Sequence, residues 1–345
     1  MPYFNQSQEW AKFFIEANNP KQEPSNLHDI VELEYLDDIK LYIYQYPLIK
    51  KQFFWYVPRV FYSLPVDKYL GSLEKVIETI KKEAKKRGVV FVGFDFDNRL
   101  LTNLGLRSDI SKKDIEKITN NSFALSSKHL QYLSTPYLPV DNLSGNSSDT
   151  ISDFYNKNEK ILFARANQPC RRHTRRAMGK GWSHEFNKSP EVFEEFWNIW
   201  QETAIRQNFH LHQKSYIKTL LQYDWVELLV IKDSQGVVQG GWIELLIGDS
   251  LINIYGANTT KSLTDYGQYY SHIVALQYIK KLQETGKEIN TYDMGGSDDA
   301  GYGLFKRSYR PDYLNFLGQY DLVIKPLIYH TYFAIRNLKE RLKKK

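Results

Sequence analysis

Tyr292-Asp293-Met294-Gly295-Gly296, followed by Gly303-Leu304-Phe305-Lys306-Arg307-Ser308-Tyr309, is the stretch on which the reading of this chain turns. An apolar approach ends in an acid and two adjacent glycines. That pattern predicts a strand running into a turn whose backbone is closely approached or takes positive φ. A lysine placed just beyond a second glycine pair, Gly301 and Gly303, can reach whatever the first pair admits. Taken alone, the stretch is equally a strand–loop–helix connection with a surface lysine.

Working outward, residues 225–232, 238–246 and 250–256 read as three antiparallel strands, the first two hinged at Asp233-Ser234-Gln235-Gly236. A long helix at 265–286 and a strand at 289–294 lead into the opening stretch. Helices are expected at 151–158, 168–181 and 190–206. The first half has a helix at 7–17 with Ser7 as N-cap, and strands at 39–46 and 52–57, the second ended by Pro58-Arg59. A helix at 66–87 with a basic C-terminal end and a strand at 89–94 complete a β-β-α-β order. The segment 318–327 is a strand candidate, and a basic helix at about 328–343 is expected to pack back on the first half. The most polar loop, Asp141 to Thr150, lies near the centre. The expected fold class is α/β (α+β), with domains at 1–150 plus 318–345 and at 151–317, each in the element order of an acyltransferase.

Length and composition suit this. A chain of 345 residues holds two domains, and 42% hydrophobic with 15% aromatic content suits packed cores. One cysteine, Cys170, excludes an intramolecular disulfide and fits a reducing compartment. No apolar run of 18 residues occurs, and the start MPYFNQSQEW lacks the features of a signal peptide, so a cytoplasmic placement is expected. Net charge is +6 and clustered: Arg171, Arg172, Arg175, Arg176 and Lys180 fall within ten residues, and the last ten carry six basic groups against one acid. Such clusters suit nucleic acid, phosphorylated small molecules or an anionic membrane face.

Several constellations carry chemistry. Arg172, Arg175 and Arg176 share one helix face, where guanidinium groups repel unless an anion sits among them; a solvated basic face is the competing reading. His210 and His212 lack the partners of a zinc site, and no metal is expected. The arginines beside Cys170 are expected to lower its pKa. Asp293, Asp298 and Asp299 suit orienting an amine or binding Mg²⁺, and equally suit capping turns. Tyr255-Gly256 ends a strand, with the tyrosine hydroxyl at a cleft edge or simply before a turn glycine. The tail KERLKKK is either solvated or a weak anchor to anionic lipid. Neither GxxxxGK[ST] nor GxGxxG at a strand–helix turn occurs, which counts against P-loop and dinucleotide sites.

The ordered set resembles the Fem family (FemABX) of peptidoglycan bridge aminoacyltransferases. The shared residues are Arg172-His-Thr-Arg-Arg-Ala-Met-Gly-Lys-Gly181, Thr203-Ala-Ile-Arg206, Tyr255-Gly256, Tyr292 to Gly296 and Gly303-Leu-Phe-Lys306, with Ser7-Gln-Glu-Trp10 and Tyr56-Val-Pro-Arg59 upstream. The resemblance runs from about residue 5 to 327. It implies two tandem GNAT-like domains of mixed sheets flanked by helices, with the C-terminal segment completing the first. It implies transfer of an amino acid from aminoacyl-tRNA to the stem peptide of a precursor, lipid II or UDP-MurNAc-peptide. No further cofactor is implied, and peripheral contact with the inner membrane face fits a lipid-linked acceptor.

By the resemblance, Lys306 stabilises the tetrahedral intermediate or the tRNA terminus, and Asp293 is an amine-orienting candidate. Lys50 or Lys51, Arg206 and Tyr255 hold the precursor diphosphate. Arg172, Arg175 and Arg176 meet tRNA or precursor, or brace the domains. The chain departs from the family at Val60, where glycine usually follows Pro-Arg, and at Asp95-Phe96-Asp97, where an acid-Pro pair is usual. The coiled-coil insertion of some members is absent. Two other readings stay open: an acyl-CoA-dependent acyltransferase in polysaccharide synthesis, although no R/Q-x-x-G-x-G/A loop occurs, and a non-catalytic tRNA- or lipid-binding module.

Overall fold

The computed structural model describes residues 4–18, 28–35, 39–48, 51–60, 70–97, 123–126, 130–161, 163–296 and 300–343. They form two units, Met1–Leu133 with Asn315–Lys345, and Ser134–Leu314.

In the first unit, helix α1 (Gln8–Asn18) starts where expected, because the Ser7 hydroxyl accepts the Trp10 N–H at 3.1 Å. Strands β1 (Asp29–Tyr35), β2 (Ile39–Pro47) and β3 (Phe53–Val60) are joined antiparallel. Helix α2 (Leu70–Arg87) then crosses over so that β4 (Phe91–Asp97) lies parallel to β3. The predicted start of this helix, 66–69, lies outside the described residues. A short strand β5 (Phe123–Leu125) follows.

The second unit opens with β6 (Ser134–Pro139), then α3 (Ile151–Asn158), α4 (Gln168–Met178), β7 (Ser183–Phe186), α5 (Pro190–Gln207) and α6 (Lys214–Leu220). Strands β8 (Val226–Lys232), β9 (Val238–Ile247) and β10 (Ser250–Asn258) form an antiparallel meander. After α7 (Thr260–Thr264) and α8 (Gly267–Glu284), strand β11 (Thr291–Asp293) returns parallel to β10, and α9 (Ala300–Arg307) follows. The sheet order is β6-β11-β10-β9-β8-β7. Local signals place the helices: Thr150, Asn167 and Ser189 cap α3, α4 and α5 through their side chains, and Asn208 ends α5 in the left-handed conformation at φ 55°. Helix α5 buries Phe193, Phe196, Trp197 and Trp200.

The chain leaves the second unit within β12 (Asp312–Val323), which pairs antiparallel with β4 and β5, and helix α10 (Pro326–Lys343) packs Tyr329 against Phe91. The C-terminal segment thus belongs to the first unit, and the described fold is a mixed α/β one with helices flanking mixed sheets.

The units divide at Leu133/Ser134, earlier than the expected boundary after residue 150. Strand β6 is the reason, since Tyr137 to Pro139 pair with Asp293 to Thr291. The polar loop 141–150 is anchored within the second unit: Ser147 donates to Glu284, and Asp149 is held by Lys157 and through its carbonyl by Gln277. Likewise the strand expected to stop at Val57 runs on to Val60, with a register shift against β4.

That shift seats Arg59, at φ 45° and fully buried, against Asp95 at 2.9 Å. Its guanidinium also donates to the Tyr132 carbonyl at 2.7 Å and lies 3.2 Å from the Phe316 ring centroid, while Tyr56 donates to Asp95. Removing one partner of a buried pair leaves the other charge uncompensated, at about 3–5 kcal/mol. Arg59→Ala is therefore expected to unfold at clearly lower denaturant concentration than the parent, by about that free energy in chemical denaturation. A change below about 1 kcal/mol would contradict a structural role for the pair.

Candidate active site

Strands β10 and β11 run parallel over only three pairs, Ser250–Ile252 with Thr291–Asp293, and β10 shifts register against β9 between Asn253 and Tyr255. There the chain turns. The Met294 N–H donates to the Pro136 carbonyl, and Gly295 takes φ +76°. A Cβ at Gly295 would lie 2.2 Å from the Asn253 carbonyl oxygen, so glycine is required twice over, by conformation and by space. The Asp293 carboxylate accepts the Gly295 N–H at 2.7 Å and the Thr135 hydroxyl, and holds the turn from one side. From the other side Lys306, 6% exposed on α9, donates to the Gly295 carbonyl at 3.1 Å and the Gly296 carbonyl at 2.6 Å. The sequence placed these residues together. The structure buries the lysine and ties it to the glycine backbone.

Because side chains alternate along a strand, Tyr292 faces away from Asp293 and towards α8. Its hydroxyl meets His272 Nδ1 at 2.9 Å. Asn253 donates to Glu244 Oε1 at 3.0 Å, and Glu244 is 1% exposed. Burial pushes Glu244 up to about 8, aided by the Asp293 charge and opposed by hydrogen bonds from Asn253 and Tyr292 and by the Lys306 charge. Burial, with the Lys306 charge second, drives His272 down to about 3. At neutral pH the buried acid is therefore protonated and the imidazole neutral. Phe305, edge-on to Tyr269 at 4.8 Å and 5.2 Å from His272, packs α9 against α8 and so sets where its neighbour Lys306 lies.

Sequence reading missed Glu244 and His272. The signal for Glu244 was an acid inside Trp242-Ile243-Glu244-Leu245-Leu246, where burial on both sides leaves a carboxylate no water.

The remaining candidates lie in other places. Arg206 is exposed at the end of α5 and donates to the Asn258 carbonyl at 2.7 Å and the Thr203 hydroxyl at 3.2 Å. Tyr255 packs on Trp200 of the same helix, and its hydroxyl meets His212 Nε2 at 3.0 Å, with His212 stacked on Tyr216. Arg206 and Tyr255 are thus joined through α5 and β10. On α4, Arg172 is exposed, Arg176 lies 3.4 Å from the Tyr266 hydroxyl, and Arg175 pairs with Glu159, so the chain itself supplies one of the anions that the cluster requires. Lys51 is exposed in the first unit; Lys50, Asp298 and Asp299 lie outside the described residues. The expectation for Cys170 is corrected. Its burial outweighs the neighbouring arginine and pushes the thiol up to about 11, which makes it inert.

The site sets a stability profile. Glu244 has a higher pKa folded than unfolded, so the folded state binds the extra proton between the two values. Stability from this group is full below pH 4.5 and is lost as pH rises through about 8. Glu244→Gln is expected to flatten the fall in Tm between pH 5 and pH 9 (roughly the span of that titration). Parallel Tm curves for parent and variant would overturn the assignment.

No family model matches this chain, and no curated protein sequence does either. Solved structures do match. A structure of FemX aligns with TM-score 0.69 at 14% identity, covering 95% of this chain and 94% of that one. A tandem GNAT protein from the clavulanic acid biosynthesis pathway aligns with TM-score 0.51 at 9% identity, covering 90% and 86%. The C-terminal domain of a putative lysylphosphatidylglycerol synthetase from Agrobacterium fabrum aligns with TM-score 0.50 at 9% identity over 91% of each. The chain has the fold of FemX and of the tandem GNAT protein, two GNAT-like units of mixed sheets flanked by helices.

Proposed function

We propose that this protein is an aminoacyltransferase that moves an amino acid from aminoacyl-tRNA to the stem peptide of a peptidoglycan precursor during interpeptide bridge formation. The observation that carries the reading is the buried Lys306, fixed on the Gly295–Gly296 turn where β10 and β11 part. The fold shared with FemX and the ordered motifs support it.

In this reading the acceptor amine attacks the ester carbonyl carbon. The C–N bond forms, the ester C–O bond breaks, and the amine proton leaves to the terminal ribose oxygen of the tRNA through solvent. The oxyanion formed between these events is stabilised by the Lys306 ammonium, held in place beforehand by two carbonyls. Asp293 acts as a positioning residue, since its carboxylate is engaged by Thr135 and the Gly295 N–H. No covalent enzyme intermediate is needed, in keeping with an inert Cys170. Arg206 and Tyr255 hold the precursor diphosphate, and the exposed guanidinium groups of α4 meet the tRNA. Aminoacyl-tRNA is a co-substrate, and the chemistry needs no other cofactor.

The test is transfer of labelled amino acid from charged tRNA to lipid II and to UDP-MurNAc-pentapeptide, with calorimetry against acetyl-CoA alongside. Transfer to neither acceptor from any charged tRNA would sink the reading, and acetyl-CoA binding with acyl transfer would replace it by the CoA-dependent one. Lys306→Ala is expected to lower kcat by about 10²-fold or more while leaving precursor Kd within about twofold. Equal losses in both, with Tm unchanged, would reject a role in the transition state. Charge reversal at Arg175 and Arg176 that abolishes tRNA binding, with Lys306→Ala silent, would instead mark a binding module.

A further inference from the structure

Among the described residues, the ring contacts of helix α10 lie in its first half. Tyr329, 8% exposed, sits 5.2 Å from Phe91 and 4.7 Å from Phe333, and its hydroxyl donates to Asp321 at 2.9 Å. Phe333 reaches Phe91 at 5.9 Å. Beyond Phe333 the helix continues for ten residues to Lys343, about 15 Å. A ten-residue helical extension is marginal in water on its own.

Its outward face is apolar. Leu327, Ile335, Leu338 and Leu342 are 82%, 48%, 58% and 64% exposed. At 100° per residue they fall within a stripe about 80° wide, together with the exposed Thr331. Between them the sequence sets Arg336, Lys339, Arg341 and Lys343 against a single acid, Glu340. Among the described residues no helix is long and apolar enough to cross a membrane. An exposed leucine stripe, a basic remaining face and low overall hydrophobicity characterise a helix that lies in a bilayer interface.

We infer that the distal half of α10 docks on an anionic lipid bilayer surface, with Ile335, Leu338 and Leu342 entering the interface and the interleaved basic residues meeting lipid phosphates. The charge pattern selects this occupant. A second copy packed on the same face would bring two such basic segments together, and like charges repel. A nucleic acid would satisfy the charge and leave three large apolar side chains in water. Only a surface that is both anionic and apolar just beneath satisfies the two faces together. This docking stands apart from the transfer reading, since it uses no residue of the Lys306 site.

The experiment is flotation of the full-length protein with phosphatidylcholine vesicles and with vesicles containing roughly 30% phosphatidylglycerol. The protein is expected to float with the anionic vesicles only, and to be released by high salt. Leu338→Glu with Leu342→Glu is expected to weaken vesicle binding about tenfold or more without changing Tm, because both side chains are exposed. No flotation, or flotation unaffected by the double substitution, would overturn the inference. So would a solution dimer that the same substitution dissociates in the absence of vesicle binding. Transfer to a soluble precursor by the double variant separates failure of docking from failure of catalysis.

Discussion

A single backbone contact organises the candidate site: the Gly295 turn lies so close to the Asn253 carbonyl that no side chain fits between them. Parallel β10 and β11 stay paired only as far as Ile252 and Asp293. Past that point the turn, not a ladder, keeps the two chains together, and it leaves the Gly295 and Gly296 carbonyls pointing at Lys306. Asp293 holds the turn from one face of the sheet. Glu244, Asn253, Tyr292 and His272 fill the other. An ammonium in such surroundings is desolvated and fixed in direction, which is what stabilising a developing oxyanion requires. A protonated Glu244 leaves the ammonium charge less compensated than a carboxylate would, and a neutral His272 adds no competing positive charge.

The first unit rests on a different device. Arg59, at the end of β3, and Asp95, on the neighbouring β4, meet as a buried ion pair. A strand that carries arginine at positive φ into the core needs an acid on the neighbouring strand. With Tyr56, Tyr132 and Phe316 around it, the pair ties β3 to β4 and to the returning β12.

Much of this was legible in the residues. Strand and helix types in the second half followed from periodicity, and the Ser7 cap closed as a hydrogen bond because capping is a local interaction. The glycine–lysine stretch announced its closeness to backbone. What the sequence hid is non-local. Strand β6, with Pro136 and Pro139 in it, shows no strand pattern of its own and forms against β11, and this moved the domain boundary. The anchoring of the polar loop 141–150 could not be read from the sequence because two of its partners, Gln277 and Glu284, lie far along the chain. Cys170 was misjudged because neighbouring charges are visible in sequence and burial is not. Glu244 and His272 were passed over for the same reason.

A mechanism without a covalent intermediate leaves its signature in the product. The most direct measurement is the mass of the precursor after incubation with total aminoacyl-tRNA and this protein. The account predicts a gain of one aminoacyl residue on the stem peptide, as an amide stable to mild alkali, that is lost with Lys306→Ala and independent of added acetyl-CoA. An unchanged precursor mass with folded protein and charged tRNA present, or a gain that appears only with acetyl-CoA, would contradict it.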